Sequence, residues 1–154
     1  MASYFFDTSG LVKRYVEEKG SDWVRSICDA DSTEVIFVAD ITEVELASAF
    51  FRKVKGGLLT IYEAESALGQ FDIDKLHQYV VSGVNYDLIK VARGLIEKHS
   101  LRAYDAIQLA IAIECNIEQT FLELPRISFI TADRELLQAA QSEGISTSNP
   151  NDYA

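Results

Sequence analysis

The sequence predicts an α/β fold with a central, mostly parallel sheet of about four or five strands flanked by helices. Three observations carry this. Short apolar runs, Tyr4-Phe5-Phe6, Val35-Ile36-Phe37-Val38-Ala39 and Ile127-Ser128-Phe129-Ile130-Thr131, alternate with longer segments of helical periodicity. The second run is continuous and mostly β-branched or aromatic, the mark of a strand buried on both faces. Helix outweighs strand, and strands alternating with helices argue for parallel pairing.

The elements follow in order. The first strand ends at Asp7, and Ser9-Gly10 opens a helical pattern running Leu11-Val12-Lys13-Arg14-Tyr15-Val16. Thr8 or Ser9 can cap that helix without Asp7. A second helix starts from Ser21 as N-cap and passes through Trp23, Val24 and Ile27. After the second strand, Thr42-Glu43-Val44-Glu45 fits a capping box, with Thr42 as N-cap and Glu45 at the third position. The helix presents Val44, Ala47, Phe51 and Val54 at helical spacing, and Gly56-Gly57 ends it. From Thr60 a long stretch carries Ile61, Ala64, Leu68 and Phe71, and Asp72-Ile73-Asp74 reads as its interruption with solvated acids. Another helix, from about Tyr86, carries Leu88, Ala92, Leu95 and Ile96. The segment from Tyr104 to Ile113 is apolar nearly all round, as a central helix is. Past the strand at 127–131, Asp133 precedes a helix with Leu136, Leu137, Ala139 and Ala140, which Gly144 terminates. Ile145-Ser146-Thr147 makes a last short strand.

No repeat, low-complexity tract or proline-rich linker divides the 154 residues, so residues 1–154 read as a single domain. Hydrophobic residues at 48% and charged residues at 25% exclude a disordered chain. No apolar run is long enough for a bilayer span, so no membrane partner is expected. The opening residues lack the basic and apolar regions of a signal peptide, which makes the cytoplasm the expected location. Cys28 and Cys115 lie far apart with no CxxC spacing and read as reduced, packed thiols. His77 and His99 are isolated and expected at the surface.

The net charge of −10 opposes binding to nucleic acid through an overall field, so any RNA contact must come from a local basic strip. Lys13-Arg14 and Arg52-Lys53-Val54-Lys55 are the main basic clusters, read first as solvated faces and second as RNA contacts.

Parallel sheets bind ligands beyond the carboxyl ends of their strands. Asp7 and Asp133 sit just past strands, and Glu45 sits in the first turn after one, so all three project from one sheet edge. Asp105 starts a helix that no strand precedes, and the rule does not place it. Taken singly, Asp105 and Asp133 also stand where N-caps belong, and Glu45 completes a capping box. The two roles are compatible, because a carboxylate at a helix start can face an ion. Converging acids repel unless a cation joins them. Oxygen-only ligands suit Mg²⁺ or Mn²⁺, and such a site supports metal-activated water attacking a phosphodiester. Glu43 and Glu45 point about 200° apart on a helix. Glu43 lies beside the apolar stripe, while Glu45 shares a face with Ser48 and Arg52, joining an acid to a phosphate contact. Periodicity leaves that choice open.

Four stretches, in order, resemble the PIN-domain family and its VapC-type members. They are Tyr4-Phe5-Phe6-Asp7-Thr8-Ser9-Gly10-Leu11-Val12-Lys13-Arg14-Tyr15, Ile41-Thr42-Glu43-Val44-Glu45-Leu46-Ala47-Ser48-Ala49, Leu101-Arg102-Ala103-Tyr104-Asp105-Ala106-Ile107-Gln108-Leu109-Ala110, and Phe129-Ile130-Thr131-Ala132-Asp133-Arg134-Glu135-Leu136-Leu137 with Asn149-Pro150 beyond it. The resemblance implies a PIN fold with an acidic pocket at one sheet edge. It implies Asp7, Glu45 and Asp105 as the principal metal ligands, with Asp133 beside them, and it favours Glu45 over Glu43. Ser9 and Thr131 fall where small hydroxyl residues support such a pocket. It further implies RNA cleavage with Mg²⁺ or Mn²⁺, a homodimer, and a small cognate antitoxin that blocks the pocket. Two other classes compete with this: a non-catalytic or solitary PIN domain binding RNA or protein, and a haloacid-dehalogenase-like phosphatase. The phosphatase needs a second Asp two residues after Asp7, where Ser9 stands.

Overall fold

Phe5 and Phe6 are neighbours in the chain and bury on opposite faces of one sheet, an alternation that sets the layering. The computed structural model describes residues 1–153. The elements are β1 (Ser3–Phe6), α1 (Thr8–Tyr15), α2 (Ser21–Ile27), β2 (Val35–Ala39), α3 (Thr42–Lys55), α4 (Ile61–His77), β3 (Tyr79–Ser82), α5 (Tyr86–His99), α6 (Ala103–Phe121), β4 (Ile127–Ile130), α7 (Arg134–Ser142) and β5 (Ser146–Ser148), with a closing 3-10 helix, Pro150–Tyr153.

The strands form one five-stranded sheet in the order β3-β2-β1-β4-β5, and every neighbouring pair is parallel. Phe5 stacks on Phe129 at 5.7 Å and packs with α5, α6 and α7. Phe6, Ile36, Val38 and Ile130 pack with α1, α2, α3 and α4. Helices thus cover both faces, which is why the inner strands are apolar throughout. The order has one consequence for function. β1 lies between β2 and β4, so the chain leaves three adjacent strands at one edge and enters α1, α3 and α7 there. Among the described residues, no helix is long and apolar enough to cross a membrane.

Several local expectations change. β3 is an additional strand: Tyr79-Val80-Val81 is an apolar run as short as Tyr4-Phe5-Phe6, and it pairs at the sheet edge with Val80 and Val81 exposed. α4 is not interrupted at Asp72-Ile73-Asp74: Asp74 is buried, accepting a hydrogen bond from the Tyr15 hydroxyl at 2.7 Å and pairing with Arg14 at 3.4 Å. α3 has no capping box. Ile41 holds its N-cap position without a side-chain cap, and the Thr42 hydroxyl turns inward. The buried face of α3 is Thr42, Leu46 and Phe50, while Val44 and Phe51 are 67% and 41% exposed, so its stripe is rotated from the expected one. The capping box forms instead at Thr60 and Glu63, opening α4. Gly20, not Ser21, caps α2, and Asp7 itself caps α1.

The basic clusters are not uniformly solvated. Lys13 is buried against Glu18 at 3.1 Å, Lys53 reaches the same carboxylate at 2.8 Å, and Arg14 is tied to Gln78 and Asp74. His77 is exposed as expected, but His99 is half-buried with Nε2 at 2.7 Å from Glu143. Cys28 and Cys115 are free and buried.

Gly10 seats α1 on β4. A Cβ there would meet the Ile130 carbonyl oxygen at 2.9 Å, closer than a real Cβ approaches. Gly10→Ala is therefore expected to destabilise the protein by about 1–3 kcal/mol, the range for an overpacked core site. Urea unfolding checks this, and an unchanged midpoint would mean that α1 does not lie this close to β4.

Candidate active site

Asp7 follows the central strand directly. Its backbone N–H donates to the Ile130 carbonyl at 3.1 Å, and its Oδ1 accepts the Gly10 N–H at 2.9 Å, capping α1. The Ser9 hydroxyl donates toward both carboxyl oxygens, at 2.9 and 3.0 Å, and Thr131 Oγ1 donates to Oδ2 at 3.1 Å. Ser9 Oγ is itself held by the Ala132 N–H at 2.9 Å. The carboxyl group is only 3% exposed. Burial pushes its pKa up to about 7. The Gly10 amide and the Ser9 and Thr131 hydroxyls hold it from going higher, while the charge of Asp105 adds to the rise. An acid so placed, with donors already aimed at its anion, is costly to keep unless the anion is used.

The other acids arrive on separate elements. Glu45 lies in the first turn of α3, half-buried, with Oε1 accepting from Gln108 Nε2 at 2.8 Å. Asp105 lies in the first turn of α6, half-buried, with Arg102 Nε 4.0 Å from its Oδ2. Burial raises its pKa; Asp133, Glu45 and Glu135 raise it further, and Arg102 opposes them. Asp133 caps α7, and that cap uses only Oδ1, toward the Glu135 and Leu136 amides. The charges of the four acids are thus felt across one space. That space is a cavity of about 520 Å³ whose lining includes all four, together with Ser9 and Arg52. Thr131 supports Asp7 from beneath. Glu43 is elsewhere, paired with Lys75 at 2.8 Å on the surface, so only Glu45 faces the cavity. A depression of about 630 Å³ between α1 and α4 is larger, but its chemistry is poorer, since Arg14 at its edge is already paired.

The donor set is all oxygen and fits a hard divalent cation rather than zinc. Among the described residues, no three His, Cys, Asp or Glu side chains are gathered closely enough to hold an ion as they stand. Ligation by several of these acids requires them to draw closer together, for which the open cavity leaves room.

Some residues of the site had no clear sequence signal. Arg102 and the 57% exposed Tyr104 share the rim with Arg52, and both sit just before Asp105, where only the family resemblance draws attention. Gln108 is a buried amide in an apolar helix. Its polarity between Ile107 and Leu109 was the available signal.

A PIN domain family model matches residues 4–142. No curated protein matches the chain. Among solved structures, PAE2754 from Pyrobaculum aerophilum is similar with a TM-score of 0.62 and 17% identity, covering 99% of this chain and 92% of that one. VapBC2 from Rickettsia felis, solved bound to a DNA fragment from their promoter, is similar with a TM-score of 0.61 and 12% identity, covering 96% of this chain and 98% of that one. At these identities the likeness is one of fold, and it agrees with the PIN-like sheet that the sequence predicts.

The buried Asp7 has a consequence for stability. Its native pKa, about 7, stands above the ordinary 3.8. Between these values the unfolded chain has lost a proton that the native protein keeps, so stability falls as pH rises through the window. Asp7→Asn removes that loss; the Gly10 cap survives, and the two hydroxyls can turn to accept. Without divalent ions at pH 7.5, the variant is expected to melt roughly 3–8 °C above the parent. Thermal scans at pH 4.5 and 7.5 check this, and a variant less stable at both would refute the assignment.

Proposed function

The chain belongs to the PIN-domain family, and on that footing we propose that it is a metal-dependent endoribonuclease in which Asp7, Glu45, Asp105 and Asp133 hold Mg²⁺ or Mn²⁺. The observation that carries this reading is the meeting of four acids from four separate elements in one cavity, one of them buried with donors aimed at its anion. A divalent ion bound there supplies Lewis acidity and an activated water for attack on a phosphodiester.

The chain's own residues divide the remaining work. Asp7 is held by one amide and two hydroxyls, so its oxygens are oriented before anything binds. Glu45, held through Gln108, and the half-buried Asp105 complete the ligand set. Asp133 keeps Oδ1 in the α7 cap and turns the other oxygen to the cavity. Arg52 and Arg102 stand on the rim, where their guanidinium groups bind phosphate oxygens flanking the scissile bond. Tyr104, exposed beside them, offers a face on which an unpaired base stacks. These rim groups are the local basic strip that a chain of net charge −10 needs to approach RNA.

The same reading makes the protein the toxin of a type II toxin–antitoxin pair, working as a homodimer and blocked at this pocket by a cognate antitoxin. The fold likeness to VapBC2 supports that context. One observation favours a second reading, a non-catalytic or solitary PIN domain that binds RNA or protein: no three acids enclose a single point as they stand.

Cleavage assays separate the two. Asp7→Asn and Asp105→Asn are each expected to fold and to lose Mn²⁺-dependent RNA cleavage by more than ~100-fold, beyond the 10–100-fold typical of removing a ligand's supporting partner. Arg52→Ala is expected to raise KM with a smaller effect on kcat. Cleavage that survives both Asp changes would end the metal mechanism, and RNA binding without any cleavage in added Mn²⁺ would establish the binding module.

A further inference from the structure

Building on that ion-binding reading of the acids, we propose that Gln108 is a positioning residue that aims Glu45 into the cavity and sets the spacing of the helices bearing Asp7, Glu45 and Asp105. Gln108 is 1% exposed in α6, a helix whose other buried side chains are almost all apolar. Packing alone would be served there by Leu or Met. Its Nε2 lies 2.8 Å from Glu45 Oε1, 2.9 Å from Thr42 Oγ1 and 3.2 Å from Thr8 Oγ1. Thr8 adjoins Asp7 at the start of α1. Thr42 and Glu45 share the first turn of α3. Gln108 itself stands one turn after Asp105 on α6. One amide group therefore ties together the starts of three helices, each carrying an acid.

The orientation of the amide shows which contact governs. Its Oε1 is the one buried side-chain polar atom without a hydrogen-bond partner among the described residues. Turned over, Oε1 would accept from the Thr8 and Thr42 hydroxyls and be satisfied, but it would then face a carboxylate oxygen at 2.8 Å. One N–H instead points at Glu45, a charge-assisted contact stronger than one between neutral groups, the other is shared between the Thr42 and Thr8 hydroxyls, and the orphaned oxygen is the cost. Glu45 has no other hydrogen-bond donor to its carboxylate among the described residues. Asp7, by contrast, has three. A glutamate with that single partner depends on it for direction, as ligands generally depend on the groups behind them.

Calorimetric titration of Mn²⁺ into the folded protein tests this, alongside melting of the metal-free variants. Gln108→Leu is expected to weaken Mn²⁺ binding by about 10–100-fold, while melting within a few degrees of the parent because the orphaned oxygen leaves with the amide. Gln108→Met, closer in shape, carries the same comparison should the leucine variant fail to fold. In a Glu45→Ala background the Gln108 change is expected to have no further effect on affinity, since its action passes through Glu45. An unchanged affinity in Gln108→Leu, or the same loss with Glu45 already removed, overturns the positioning role alone. A parent protein that does not bind Mn²⁺, or an affinity indifferent to Glu45→Ala, overturns the ion-binding reading and this role with it.

Discussion

A carboxylate held out of water at the end of the central strand organises what surrounds it. Asp7 can stay buried only because the α1 N-terminus, Ser9 and Thr131 supply donors at hydrogen-bond distance. Those donors come from α1 and from the end of β4, so the carboxylate binds two neighbouring segments to each other. Gly10 allows that approach by carrying no Cβ against the Ile130 carbonyl. Burial outweighs those donors and pushes its pKa up to about 7. Keeping this carboxyl group out of water costs stability wherever it must be ionised.

The parallel sheet turns this one position into a pocket. Because β1 lies between β2 and β4, the helix starts following three adjacent strands meet at one edge, with α6 closing over them. Two apolar layers hold the arrangement rigid, one under α5, α6 and α7 and one under α1 to α4. The acids on this frame differ in how many partners hold them. Asp7 is gripped, Asp133 is half-committed to a cap, and Glu45 and Asp105 are half-buried with few partners. On the proposed ion-binding reading, one firmly held acid beside others with fewer partners would suit an ion whose coordination changes as a substrate enters.

The basic residues around the cavity fall into two groups. Most lysines and arginines near the site are used internally: Lys13 and Lys53 on Glu18, Arg14 on Asp74. They neutralise the protein's own acids and hold helices together. Arg52 and Arg102 stand on the cavity rim, Arg102 loosely paired with Asp105 at 4.0 Å, so some positive charge is placed locally in a chain of net negative charge.

The amino-acid sequence by itself determined the class of fold and the positions of three acids. Both follow from local rules: apolar runs make buried strands, and residues just past parallel strands share an edge. Asp7 and Asp133 were legible for that reason, and so was an acid at the start of α3, which the family resemblance identified as Glu45. The sequence-level errors share another cause. The face of α3, the continuity of α4 past Asp74, the edge strand β3 and the burial of Lys13 and Arg14 depend on partners distant in the chain, which propensity does not see. Periodicity left Glu45 against Glu43 open and no strand rule placed Asp105; the family resemblance chose both, and the tertiary structure sets them on the cavity and, unannounced, puts Gln108 behind Glu45. These are matters of which surfaces pack, and packing is settled by the whole chain at once.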